Sequence, residues 1–357
     1  MINVGIINPS WTLNRHNTDQ RCVLDFSTLG NYVNDISMQF VGSKVHYLKA
    51  NVNFASERIL KYRVFNHINI SVKNSRTDVL YKYGNEILGL KIDKKNTKPV
   101  ISTLGFPTLN QDKIRGEQYL QSQADILERY AQGSNLVHFH TDCMREAFLL
   151  RKPDWRDKCV TVPFFLPHLN FLPQELIAKK FSNPNTHILF VGVDGVRKGL
   201  IELCAALDVI ADFLNEFKVN VTIVSKTKHS CKKFKNVNQH FFLARNEVQK
   251  LMQDSHIYIM VPHQESFGLV FVEAMAAGCA VIADDDVPRQ EIFDNGACGK
   301  LVKSRDISLI ALELKQLIEN RSMMYSMALN GWRRAQSRYA AEDVAKQYVS
   351  VFRQAIS

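Results

Sequence analysis

Pro262-His263-Gln264-Glu265-Ser266-Phe267-Gly268-Leu269-Val270-Phe271-Val272-Glu273-Ala274-Met275-Ala276-Ala277-Gly278 lies between two short apolar runs, residues 257–261 and 280–284. Both runs have the length and composition of buried strands, and residues 267–277 between them read as a helix, with Gly278 as its stop. Glu265 falls on the connecting loop. A helix opening near Phe267 directs the backbone N–H groups of Ser266, Phe267, Gly268 and Leu269 out of the strand's end, where they form an anion site suited to a diphosphate. Gly268 lets a ligand approach the backbone with no Cβ in the way. Glu273 lies inside the helix in an otherwise apolar stretch, so its carboxylate needs partners, and sugar hydroxyls donate well to carboxylates. Taken singly, Glu265 reads more readily as an acid near a helix N-cap and Glu273 as a snorkelling surface acid than as ligand contacts.

The same alternation extends outward through the chain. In the second half, residues 187–193 and 219–225 read as strands, 199–217 as one amphipathic helix and 247–254 as another, and the tail from Met323 is helical in pattern. Tyr348, Val351 and Phe352 are its docking side chains. The first half offers strands at residues 2–7, 43–48, 78–81, 99–103, 136–139 and 160–165, and a helix at 116–132 closed by Gly133. Apolar β-branched runs separated by helices describe parallel sheets covered on both faces, an α/β architecture. Irregularity and prolines place a domain crossing near residues 165–175, giving domains at 1–168 and 169–338 and a terminal helix at 339–357.

The 357-residue length suits two domains. No apolar stretch approaches the length of a membrane span, and the first residues read as a strand rather than a signal peptide, so the expectation is a soluble, cytoplasmic protein. Seven scattered cysteines, never in a C-x-x-C spacing, argue against a disulfide framework and against a zinc site. The net charge is +10, and residues 51–100 hold 10 basic and 4 acidic side chains. That patch suits an anionic membrane surface at the inner face of a membrane, a phosphorylated acceptor or nucleic acid, with a solvated surface as the alternative.

Glu265, Phe267-Gly268 and Glu273-Ala274-Met275-Ala276-Ala277-Gly278 resemble the signature of family four retaining glycosyltransferases, within the glycosyl transferases group 1. These have the GT-B fold: two Rossmann-like domains with parallel sheets facing across a cleft, and a C-terminal helix crossing back to the N-terminal domain. By that resemblance Glu273 binds the ribose hydroxyls and Glu265 the transferred sugar. Phe190-Val191-Gly192-Val193-Asp194-Gly195-Val196-Arg197-Lys198-Gly199-Leu200 is similar to the family's glycine loop, which implies that Gly192 approaches the donor and that Lys198 meets the diphosphate. The family's arginine after the glycine is Val193 here, and Arg197 stands to supply the charge. The turn around Glu291 is similar too, and its residues read as structural.

The first half departs further. Its first loop carries no glycine, and Asn14, Arg15 and His16 are the acceptor contacts it offers. The histidine that relatives carry after the fourth strand pattern is Leu104. His138 and His140, at a strand end, are further acceptor candidates, though their alternation also fits structural histidines. Asp284-Asp285-Asp286 reads as loop acids rather than a metal site, so no metal and no cofactor is expected, the nucleotide sugar being a substrate. The resemblance implies a metal-independent hexosyltransferase that moves a sugar from a UDP- or GDP-sugar to a glycan or lipid-linked hydroxyl, with peripheral membrane contact and no nucleic-acid partner. Glu265, Lys198 and Arg197 are its catalytic candidates. A sugar-nucleotide epimerase of the same fold and a donor-binding protein without transfer activity are the alternatives. A nicotinamide dehydrogenase is disfavoured because no G-x-G-x-x-G follows the first strand.

Overall fold

The computed structural model describes residues 1–7, 26–40, 68–70, 77–82, 90–92, 98–104, 116–263, 265–303 and 305–357. The expected strand at 43–48, the candidate contacts Asn14, Arg15 and His16, and much of the basic stretch 51–100 lie outside these residues. The chain divides into two compact units: Met1–Pro167 with Tyr339–Ser357, and His168–Arg338.

The first unit is built on a six-stranded sheet of β1 (Ile2–Ile7), β2 (Ile36–Phe40), β4 (Val79–Lys82), β6 (Val100–Leu104), β7 (Leu136–Phe139) and β8 (Cys159–Thr161). Their spatial order is β2-β1-β4-β6-β7-β8, and every pairing is parallel. Two short strands, β3 (Ile68–Ile70) and β5 (Leu90–Ile92), pair separately. Helices α1 (Glu117–Ala131) and α2 (Asp142–Leu149) belong to the same unit. Gly133, at φ +81°, follows α1 as its sequence implies. The strand expected at 160–165 ends at Thr161, because Pro163 has no N–H to continue a ladder.

The second unit's sheet contains β9 (His187–Val191), β10 (Asn220–Val224), β11 (Val237–His240), β12 (Ile257–Met260), β13 (Ala280–Asp284) and β14 (Lys300–Val302). Its order is β11-β10-β9-β12-β13-β14, again all parallel. Every residue of β12 and β13 is buried, which explains their unbroken apolar runs. Its helices are α3 (Gln174–Ser182), α4 (Leu200–Val209), α5 (Ala211–Glu216), α6 (Arg245–Asp254), α7 (Leu269–Ala276), α8 (Val287–Ile292), α9 (Ile307–Glu319) and α10 (Arg321–Tyr339), and α11 (Ala341–Ile356) follows in the first unit. The single helix expected over 199–217 is two. Ile210 leaves the helical region at φ −109°, ψ 24°, after the β-branched pair Val209-Ile210 crowds the preceding turn.

α11 belongs to the first unit and buries Val344, Ala345, Tyr348, Val349, Val351, Phe352 and Ala355. Its apolar stripe enters an aromatic cluster: Tyr348 lies 5.0 Å from Phe26 and 6.2 Å from Tyr81, and Phe352 is 5.9 Å from Tyr81 between ring centroids. Edge-on geometry between such rings adds to what their burial contributes. No helix among the described residues is long and apolar enough to cross a membrane. Phe352→Ala is expected to cost ~3–5 kcal/mol by opening this cluster, seen as a lower thermal unfolding midpoint. The exposed neighbour Gln354→Ala should leave the midpoint nearly unchanged.

Candidate active site

In the second unit β9 and β12 are neighbours, and the next strand in sequence after each lies on the opposite side of the pair. This reversal of strand order opens a crevice at the strands' carboxyl ends, where open α/β sheets bind ligands. The loops leaving these two strands carry the Gly192-to-Gly199 segment and the Glu265 segment. Gly199, at φ +84°, lies so close to the second loop that an added Cβ would stand 2.3 Å from the Val261 carbonyl oxygen. The His263 N–H also donates to the Arg197 carbonyl at 2.9 Å. The two loops are thus fastened together before any ligand arrives.

The fastening brings Lys198, Arg197 and Glu265 into one cluster. The Lys198 ammonium bonds the Glu265 carboxylate directly, and an Arg197 guanidinium nitrogen lies 3.9 Å from the same oxygen. Gly192 makes room for this lysine, since a Cβ there would meet the Lys198 stem at 2.9 Å. Burial, with Arg197 and Arg289 close by, pulls the Lys198 ammonium down to about 8. Val193, where the family's arginine would stand, is exposed.

The helix expected from Phe267 opens two residues later, at Leu269. Gly268 precedes it at φ +86°, outside the right-handed helical region, and no side chain caps the end. The first amides of α7 therefore have no acceptor within the helix. The Ser266 N–H instead reaches a Glu265 carboxylate oxygen at 3.3 Å, and the Phe267 side chain is buried. Glu273 is one helical turn into α7, where it pairs with Arg245 at the start of α6 at 3.0 Å. Both border a small pocket, lined also by His168, Val248, Gln249 and Met252.

Several supports are not evident from sequence. Arg289 on α8 is fully buried and holds Asp284 through two bonds of 3.0 and 2.8 Å, Asp286 at 2.7 Å, and the Glu265 backbone carbonyl at 3.1 Å. Burial raises the Asp284 carboxyl while Arg289 opposes that rise. Asp286 also caps α8 by accepting from the Val287 N–H at 2.8 Å. These acids are ligands of an arginine that props the Glu265 loop, and the signal that could have found it is Arg289 following the acidic run by three to five positions. His263 is held by Glu202 at 2.7 Å. Glu291 pairs with Arg338, a structural role as its sequence context implies.

In the first unit the structure corrects one candidate. His138 is fully buried between the Tyr81 hydroxyl at 2.6 Å and the Val162 carbonyl at 2.8 Å, and burial pulls it down to about 4. Both ring nitrogens are engaged in the core, so it is a structural histidine and no surface for an acceptor. His140 is also buried, stacks on Phe164 at 3.7 Å, and is held well below its usual range by burial and by His138.

Residues 174–334 match the family described as Glycosyl transferases group 1. The second unit belongs to the glycosyl transferases group 1 family. The chain is 24% identical over 183 residues to the capsular polysaccharide biosynthesis glycosyltransferase CapM of Staphylococcus aureus, covering 48% of this chain and 47% of CapM. An alpha-1,6-glucosyltransferase of Actinobacillus pleuropneumoniae is 31% identical over 119 residues, 31% of this chain and 36% of that protein. The chain thus spans about half or less of the length of these curated relatives. Among solved structures, Anabaena HepE in complex with UDP and glucose superposes with a TM-score of 0.66 at 14% identity, covering 99% of this chain and 100% of that one. A sucrose-phosphate synthase from Thermosynechococcus elongatus gives 0.67 at 15% identity over 99% of each chain. The group 1 fold is thereby GT-B, with two parallel six-stranded sheets and their helices.

Breaking the prop at Arg289→Met leaves Asp284 buried without its counter-charge, and is expected to destabilise the second unit by ~3–5 kcal/mol, measured by thermal or denaturant unfolding. A second expectation concerns pH. Lys198 is charged below about 8, so affinity for a nucleoside diphosphate should fall as pH rises through that value, by at most about tenfold per pH unit. Titration calorimetry from pH 7 to 9 with UDP reads it, and Lys198→Arg should flatten the profile.

Proposed function

We propose that the chain transfers a sugar from a nucleotide-sugar donor to a hydroxyl of a glycan or lipid-linked acceptor, with retention of anomeric configuration. The observation that carries this reading is the meeting of Lys198, Arg197 and Glu265 at the N-terminus of α7, on the two loops that leave β9 and β12. A diphosphate at that helix end replaces water on the open amides of residues 268–270, and the two cations offset the charge that grows as the nucleotide leaves. They stand where a divalent metal would otherwise serve, so the donor site is proposed to work without one.

Glu265 then has two tasks. Before the donor binds it neutralises Lys198, and afterwards it accepts hydrogen bonds from the transferred sugar. Glu273, beside the pocket between α6 and α7, is assigned to the ribose hydroxyls. No side chain in the cluster is placed as a covalent nucleophile, which supports same-face attack by the acceptor while the leaving diphosphate takes its proton. A uridine donor is favoured, because the structurally similar Anabaena protein was solved with UDP and glucose. The name of one relative, a glycosyltransferase of capsular polysaccharide biosynthesis, supports a glycan acceptor.

Thermal-shift measurements with UDP, GDP and ADP, followed by an acceptor panel, test the reading. Bound nucleotide at a hundred times its Kd stabilises the native state by ~2.7 kcal/mol, and selective stabilisation by UDP is expected. Lys198→Ala and Glu273→Ala should each remove most of that shift and reduce transfer at least ~100-fold, with circular dichroism unchanged. Equal shifts in wild type and both variants would sink the assignment. Turnover of donor without acceptor into an epimer would replace transfer by epimerisation, and binding without turnover across the panel would leave a donor-binding protein.

A further inference from the structure

The scattered cysteines give no zinc spacing along the chain, yet the fold gathers Cys204, His229 and Cys231 so that one ligand atom from each lies within 4.8 Å of the others. Cys204 is on α4 and buried, while His229 and Cys231 lie in the segment between β10 and β11 and are half-buried. Both cysteines are free thiols. Nδ1 of His229 is buried with no hydrogen-bond partner among the described residues, a cost that a bound cation on the ring would relieve.

The surroundings are already organised. Asp208, one helical turn beyond Cys204 on α4, accepts the backbone N–H groups of Lys232, Lys233 and Phe234 at 2.7, 2.8 and 3.0 Å. The His229 N–H donates to the Gln239 side-chain oxygen at 3.0 Å. Residues 229–234 are therefore held against one face of α4, with the two thiols and the imidazole converging there. Nothing in this cluster belongs to the donor site.

We propose that Cys204, His229 and Cys231 form a zinc site, with a water as the fourth ligand. Two thiolates and one imidazole are a soft donor set that favours zinc over magnesium or calcium. Binding deprotonates the two thiols, and both protons go to solvent. The half-exposed His229 and Cys231 give the ion its way in. The consequence for the fold is a clamp: the same segment carries Thr227, whose hydroxyl accepts the Gly195 N–H at 3.0 Å. Zinc would fasten this segment to the helix that begins at Gly199, directly behind the glycine loop.

Cobalt titration of the full chain, stripped of metal by a chelator and kept reduced, tests the site without reference to donor binding. One equivalent of Co2+ should bring thiolate charge-transfer absorption in the near ultraviolet and the visible d–d bands of a tetrahedral centre, and Zn2+ should bleach both. Cys231→Ser and His229→Ala, at half-buried positions that tolerate change better than Cys204, should each weaken binding by more than the ~10–100-fold typical of an outer-shell partner. Zinc should raise the thermal midpoint of wild type and not of these variants. Absence of the bands, bands unchanged in both variants, or a Cys204–Cys231 disulfide in protein that retains no metal would overturn the proposal. UDP binding, measured in parallel, separates this outcome from the fate of the transferase reading.

Discussion

The close approach of Gly199 to the Val261 carbonyl fixes the spacing of the two strand-end loops, and the rest of the site depends on that spacing. With any side chain at position 199 the added Cβ would stand 2.3 Å from the carbonyl oxygen, closer than non-bonded atoms come. The backbone there is also left-handed, at φ +84°, a conformation that glycine alone adopts without strain. Because the loops touch at this point, Lys198 and Arg197 on one and Glu265 on the other arrive at the same place. The parallel pairing of β9 with β12 supplies the frame, since it sends both loops off the same edge of the sheet.

Two cations, Lys198 and Arg197, meet the single carboxylate of Glu265 in the cluster. Arg289 is committed to Asp284, Asp286 and the Glu265 backbone, so it props the loop and adds a fixed positive potential. Lys198 is partly buried and surrounded by other cations, which is why its ammonium is pulled down to about 8. In the proposed donor site a diphosphate would relieve the repulsion among Lys198, Arg197 and Arg289, a gain water cannot match in a partly desolvated site. Glu265 offsets one of these charges in the free protein, and on that proposal it would become available to a sugar as the diphosphate takes over that task.

Much of this was legible in the sequence, for physical reasons. The central strands β9, β12 and β13 are buried on both faces and so appear as unbroken apolar runs, and the Glu265-to-Gly278 stretch shows its loop and helix directly. The strands that the sequence pattern does not show, β2, β3, β5, β11 and β14, are all sheet edges, where one-sided pairing leaves sequences such as Val237-Asn238-Gln239-His240 with no apolar run. Arg289 shows only as a spacing of three to five positions after its acids, while Arg245 is invisible because Glu273 stands 28 residues away, which no local pattern encodes. The Cys204, His229 and Cys231 cluster was dismissed for the same reason, its members being joined through the packing of α4 on a following segment. His138 stands at a strand end that could face a cleft, while its alternation fits a structural residue, and its bonds to Tyr81 and Val162 place it in the core.

Hydrogen–deuterium exchange of the full chain with and without UDP tests the central claim most directly, because it reads the amides that the account assigns to the diphosphate. Protection on UDP binding is expected in two segments, residues 192–199 and 265–271, with smaller changes around Arg245 and Glu273. Protection confined to other parts of the chain, with these two loops exchanging as in the free protein, would contradict the placement of the donor site.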